Sequence, residues 1–166
     1  MTQPIDARTY DQIDGSFPSI TIDQLSIGEQ LVIWAMRHRL AEGSESTLVR
    51  GFHVAFGLSA VEPAIAAFNG LFKTLFYHCK RDLGFHATRC RCVSSDEILI
   101  VSIIAANHAG MAAHAREIGC SLVFGKCVED LLGHAATLSL LMQRQNLRLP
   151  LRPLVSYGEE RPALLH

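Results

Sequence analysis

Three features of the sequence predict a compact all-α domain, a single bundle of about five to six helices. They are three Ser-x-x-Glu boxes, apolar residues recurring at spacings of three and four, and glycines placed where those runs stop. A chain of 166 residues suits one domain and buries enough surface to fold without a disulfide or a metal. The expected division is an irregular N-terminal arm over 1–23, a helical domain over 24–146 and a Pro- and Leu-rich tail or docking strap over 147–166.

The arm mixes Thr, Asp, Pro, Gly and Ser with single apolar residues and sustains no period of 2 or 3.6. Ser26 and Glu29 then stand in capping-box relation, so a helix is expected to open there. Leu31, Val32, Trp34, Ala35, Met36 and Leu40 form its apolar face, and Gly43 is placed to end it. A shorter second helix buries Leu48, Val49, Phe52, Ala55 and Phe56 and stops at Gly57. The box recurs at Ser59 and Glu62, with Pro63 in the first turn, where its missing N–H costs nothing. Phe68, Phe72, Leu75, Phe76 and Cys79 follow at i, i+4, i+7, i+8 and i+11, which puts Cys79 at the far end of a buried stripe, with Gly84 to close the helix.

Ser94 and Glu97 open the fourth helix, and Asp96 adds a carboxylate favourable to its dipole. Residues 98–104 are apolar nearly all round, as in a helix enclosed by neighbours; their β-branched content also fits a central strand, but the box and the Ala-rich continuation favour a helix. A break near Gly110 leads to a short helix ending at Ile118. Phe124, Val128, Leu131, Ala135, Leu138 and Met142 then alternate spacings of four and three, a seam suited to a bundle or a dimer. Pro150, Pro153 and Pro162 preclude a continuous helix in the tail, and no repeat of 20 to 50 residues is visible.

The composition is 49% hydrophobic and 19% charged, with a mean hydropathy of +0.20. That is richer in apolar residues than an ordinary solvated globule, so a protein partner or a second copy is expected to cover part of the surface. A net charge of -1 and a pI near 6.7 supply no positive field, which argues against a nucleic-acid partner. Residues 1–14 lack a basic and then apolar leader, and the run 98–106 is too short to span a bilayer. Neither export nor a membrane association is expected. Five cysteines, an odd count, fit reduced thiols or metal ligands in a cytoplasmic protein better than a disulfide framework.

The residues with most chemical potential lie in the connection between the third and fourth helices. Cys79, His86, Cys90 and Cys92 form a C-x6-H-x3-C-x-C series of the number and type that tetrahedral zinc uses, with His78 as a fifth candidate. The plainer alternative makes Cys79 a core residue and leaves the others in a loop. A redox alternative has Lys80, Arg81, Arg89, Arg91 and the following helix N-terminus activating Cys90 or Cys92. A catalytic Cys79–His86 pair lacks an orienting third group. Arg89 and Arg91, with Ser94 at the helix entrance, offer an anion site, against the plainer reading of a solvated basic loop.

His53, His108, His114 and His134 lie in helices without a partner at ligand spacing, and Cys120 and Cys127 read as core. No phosphate-binding loop, dinucleotide fingerprint, H-E-x-x-H or G-x-S-x-G signature is present, and no resemblance to a characterised family is read in these residues. The expectation is a non-enzymatic, self-associating helical interaction module in which zinc or a thiol pair organises the connection. The alternative is a small helical enzyme or ligand-binding protein, which requires a concave pocket over the same loop.

Overall fold

Two of the three boxes form as the sequence predicts. Ser26 Oγ accepts from the Glu29 N–H at 3.3 Å while the Glu29 carboxylate accepts from the Ser26 N–H at 2.7 Å, and α1 follows over Ile27–Leu40. Ser94 and Glu97 make the same exchange, at 3.1 and 2.9 Å, at the head of α4, Ser95–His108. The computed structural model describes residues 20–41 and 45–153; α2 spans Glu45–Phe56, α3 Val61–His78, α5 Ala112–Leu122 and α6 Val128–Arg144. Gly43, residues 1–19 of the arm and residues 154–166 of the tail lie outside the described residues.

The fold is all-α, with short 3-10 turns at Ile22–Gln24 and Gly125–Cys127 and two isolated antiparallel bridges, Thr21 with Cys92 and Cys79 with Val123. Helix α4 is central. Ile100, Val101, Ile103, Ile104 and Ala106 are buried on all sides of it, and it packs against α1, α5 and α6. Its β-branched run is a helix because the box commits its first turn and neighbours cover its whole circumference. The broadest helix pair is α3 with α6, where the His134 ring occupies the space that a side chain at Gly70 would need. Gly57 and Gly110 both adopt φ +72°, the left-handed region that glycine enters without a Cβ penalty, and end α2 and α4 as their positions predict.

Several expectations are corrected. The Ser59–Glu62 box does not form: the N–H groups of Ala60 and Val61 turn back onto the Gly57 carbonyl, Ala60 is the cap residue, and no side chain caps α3. Gly84 does not close α3, which stops at His78. There Cys79 turns extended and pairs with Val123, while the Lys80 N–H donates to the Leu122 carbonyl. Phe76, assigned to the buried stripe, is 61% exposed, and α5 runs four residues past Ile118 to Leu122. Cys127 is buried, as core requires, but Cys120 is exposed. Most of the predicted seam lies within the chain: Val128, Leu131, Ala135, Leu138 and Met142 are buried against α3 and α4, whereas Phe124, its first residue, is exposed.

A relation absent from the sequence reading emerges between the halves. Helices of 14, 12 and 18 residues are followed by helices of 14, 11 and 17, with a Ser-x-x-Glu box at the head of each set. Burial recurs position by position. Val32, Ile33, Ala35 and Met36 answer to Ile100, Val101, Ile103 and Ile104, and Val61, Ala64, Phe68, Leu71 and Leu75 answer to Val128, Leu131, Ala135, Leu138 and Met142. The shared pattern is one of buried registers with few shared residue identities.

Candidate binding cleft

Arg37 sits on α1 in register with Ile33 and Met36, so its side chain enters the core. Burying a guanidinium costs on the order of several kcal/mol unless its donors are met, and here four of its five N–H groups are. Nε and Nη2 donate to Glu97 Oε1 and Oε2 at 2.7 and 2.9 Å, while Nη1 and Nη2 donate to the carbonyls of Cys90 and Cys92, each at 2.6 Å. The box carboxylate of α4 therefore does three tasks: it caps its own helix, pairs with Arg37 and accepts from the His86 N–H at 3.3 Å.

Asp96 secures the start of the same connection. It accepts from Arg81 Nη2 at 2.5 Å, Arg81 Nη1 at 3.0 Å and the Gly84 N–H at 2.7 Å. Burial alone would raise the Asp96 pKa, but the hydrogen bonds from Arg81 and Gly84 outweigh it and hold the carboxyl below its ordinary value. Ser94 Oγ completes the tie by donating to the Gly84 carbonyl at 2.6 Å.

The connection 79–94 is thus held by two carboxylate–arginine pairs acting on backbone groups. The backbone of Cys79 pairs with that of Val123 and the backbone of Cys92 with that of Thr21, and the Cys90 and Cys92 carbonyls accept from Arg37. Among the described residues no group of three or more His, Cys, Asp or Glu is placed so that it could hold a metal ion. At the head of α4 the Glu97 carboxylate accepts from the Ser94 N–H, while Ser94 Oγ donates to the Gly84 carbonyl and accepts from the Glu97 N–H.

Arg89 and Arg91 belong to a concave feature. A cleft of about 380 Å³ opens between α1 and the turn 88–91. Its floor is Ile22, Ile27, Leu31 and Trp34, and its rim is Thr88, Arg89, Cys90 and Arg91, with Arg37 beneath. Ile27, Leu31 and Trp34 fall at i, i+4 and i+7, one stripe of α1, and Ile27 is 70% exposed. The Trp34 ring rests on α2 where Gly51 has no side chain, and lies 4.7 Å from the His38 ring. Arg91 reaches Asp23 at 3.3 Å across exposed surface, a contact that solvent screens.

The pocket foreseen over the loop therefore exists, but it takes in Cys90 alone of the predicted thiols and excludes His86. Sequence reading missed Arg37. Its signal was a cation in the apolar register of a helix, which needs a buried carboxylate, and Glu97 at the third position of a box was the available one. Searches with the chain found no matching family model, no matching curated protein and no matching solved structure.

Proposed function

We propose that the chain is a helical protein-interaction module that docks an acidic, amphipathic segment of a partner in the cleft between α1 and the turn 88–91. One observation carries the reading: an unfilled apolar stripe on α1 lies directly beside two rim arginines, on a turn whose backbone is anchored by a buried ion pair. A helix laid in such a groove places residues at i, i+3, i+4 and i+7 on Ile27, Leu31 and Trp34, and sets carboxylates on its flank toward Arg89 and Arg91. Anchoring the turn lowers the ordering cost of binding, because the rim needs no rearrangement of its backbone.

Trp34 is the only tryptophan in the chain and lines the cleft, so its emission reports occupancy directly. The probe is a synthetic helix-forming peptide with leucines on one face and glutamates on the other, titrated beside a counterpart with lysines in place of the glutamates. A saturable blue shift with the glutamate peptide, absent with the lysine peptide and at least about tenfold weaker in an Arg89→Glu, Arg91→Glu variant, supports the reading. Equal responses to both peptides, or none to either, reject it.

A further inference from the structure

The chain contains three lysines, Lys73, Lys80 and Lys126, and all three belong to the region where the exit of α3 meets the exit of α5. The Phe124 N–H donates to the His78 carbonyl at 3.2 Å, and the Lys80 N–H to the Leu122 carbonyl at 2.8 Å, which bind the two exits together. The exposed large aromatic side chains of the described residues gather at the same place: Phe76 at 61%, Tyr77 at 72% and Phe124 at 53%. Phe76 and Tyr77 meet edge to face at 5.3 Å, and Lys73 precedes them by three and four residues, on the same side of α3.

The charges at this end are not spent. No ion pair among the described residues involves a lysine; Lys80 Nζ donates only to the Cys120 carbonyl, at 2.6 Å, which leaves its charge unopposed. Glu129, close in sequence to Lys126, is turned to Arg116. Arg37, Arg81, Arg91, Arg116 and Arg152, by contrast, are each paired with a carboxylate.

Free ammonium groups around exposed aromatic rings are the composition of a membrane-contact surface. Aromatic rings sit favourably at headgroup depth, and lysines beside them gain from the negative potential of anionic lipid. Protein interfaces enrich aromatics too, but they are depleted of lysine, and the chain's lysines are all here. We propose that this end of the bundle, with Phe76, Tyr77 and Phe124 as apolar contacts and Lys73, Lys80 and Lys126 as cationic ones, rests on an anionic lipid surface. The contact is peripheral: no helix is long and apolar enough among the described residues to cross a membrane. The sequence expectation of no membrane association rested on span length, which does not bear on a surface of this kind. The inference is independent of the cleft.

Flotation of the full chain with vesicles tests it. Vesicles containing about 30% phosphatidylserine should retain the protein at least about tenfold better than phosphatidylcholine alone, and about 0.5 M salt should remove most of the difference by shortening the screening length. A Phe76→Ser, Tyr77→Ser, Phe124→Ser variant should lose retention on both vesicles, and a Lys73→Gln, Lys80→Gln, Lys126→Gln variant should lose only the preference for phosphatidylserine. Both variants change exposed side chains, and far-UV circular dichroism verifies that their helices are intact. Equal retention on the two vesicles, no retention, or retention unchanged in the aromatic variant overturns the proposal. Saturable binding to polyglutamate without vesicle retention also overturns it, and assigns the surface to an acidic protein.

Discussion

Arg37 and Glu97 decide how the connection 79–94 is held, and their contribution is separable from that of the cysteines. Truncating Arg37 to Met leaves the buried Glu97 carboxylate without its counter-ion and releases the carbonyls of Cys90 and Cys92. Breaking such a pair from one side costs about 3–5 kcal/mol. Replacing Cys90 and Cys92 by Ser removes no side-chain bond seen in the structure and, at sites outside the core, should cost less than about 1 kcal/mol. Urea unfolding of the two variants checks this, and a Cys variant as unstable as Arg37→Met would return the connection to thiol or metal control. The difference also marks the limit of legibility at this scale. Residue types in the connection were visible in the sequence, and so was the register that buries Arg37. What joins Arg37 to Glu97 is a contact across 60 residues, and Glu29 meets Arg152 across 123; local spacing contains neither. The ligand-like series Cys79, His86, Cys90 and Cys92 was legible as composition, but the backbone pairings of Cys79 with Val123 and of Cys92 with Thr21 were not, because each joins residues far apart in sequence.

At the scale of the helix, the same four-residue box has two different fates. Ser94 and Glu97 exchange bonds because Ser94, the cap residue, is itself extended, at φ -78° and ψ 158°, which aims its hydroxyl at the free N–H groups. At Ser59 the chain arrives from Gly57 in a tight turn, Ala60 is already near the helical region at φ -119° and ψ -5°, and no side-chain cap forms at α3. Ser94→Ala should therefore destabilise by about 0.5–2 kcal/mol, whereas Ser59→Ala should stay within about 0.5 kcal/mol. Chemical denaturation compares the two directly, and equal losses would show that Ser59 caps α3 after all. The box as a motif was readable, but its use depended on which residue takes the cap position and on that residue's backbone geometry. The α6 seam teaches a similar lesson, since periodicity identifies an apolar stripe without saying whether α3 and α4 or a second copy will cover it.

The two halves of the molecule are closed in the same manner, and this makes the whole fold effectively circular. After α3, the segment leading to α4 seals its head: Ser94 Oγ donates to the Gly84 carbonyl and Asp96 accepts from the Gly84 N–H. After α6, the segment 145–153 seals the head of α1 in turn. Ser26 Oγ donates to the Arg148 carbonyl at 2.8 Å, Leu149 is buried, and Arg152 grips Glu29 through Nε at 2.5 Å and Nη2 at 2.9 Å. Gly28 is required there, because a Cβ would stand 2.5 Å from the Arg148 carbonyl oxygen. Arg152 also reaches the Gln24 carbonyl at 3.2 Å, so the two ends of the described chain lie side by side. A circular permutant that joins His166 to Met1 and is cut in the exposed turn between Ala87 and Thr88 should therefore fold, because the cut severs no helix and spares the bonds of Gly84, Asp96 and Glu97. Its urea transition should remain cooperative with an unchanged m-value and a lowered midpoint, whereas a cut between Ile103 and Ile104 in the central helix should abolish the transition. Failure of the first permutant under conditions where the native chain folds would mean that the order of the halves, and not only their mutual sealing, is needed to form the bundle.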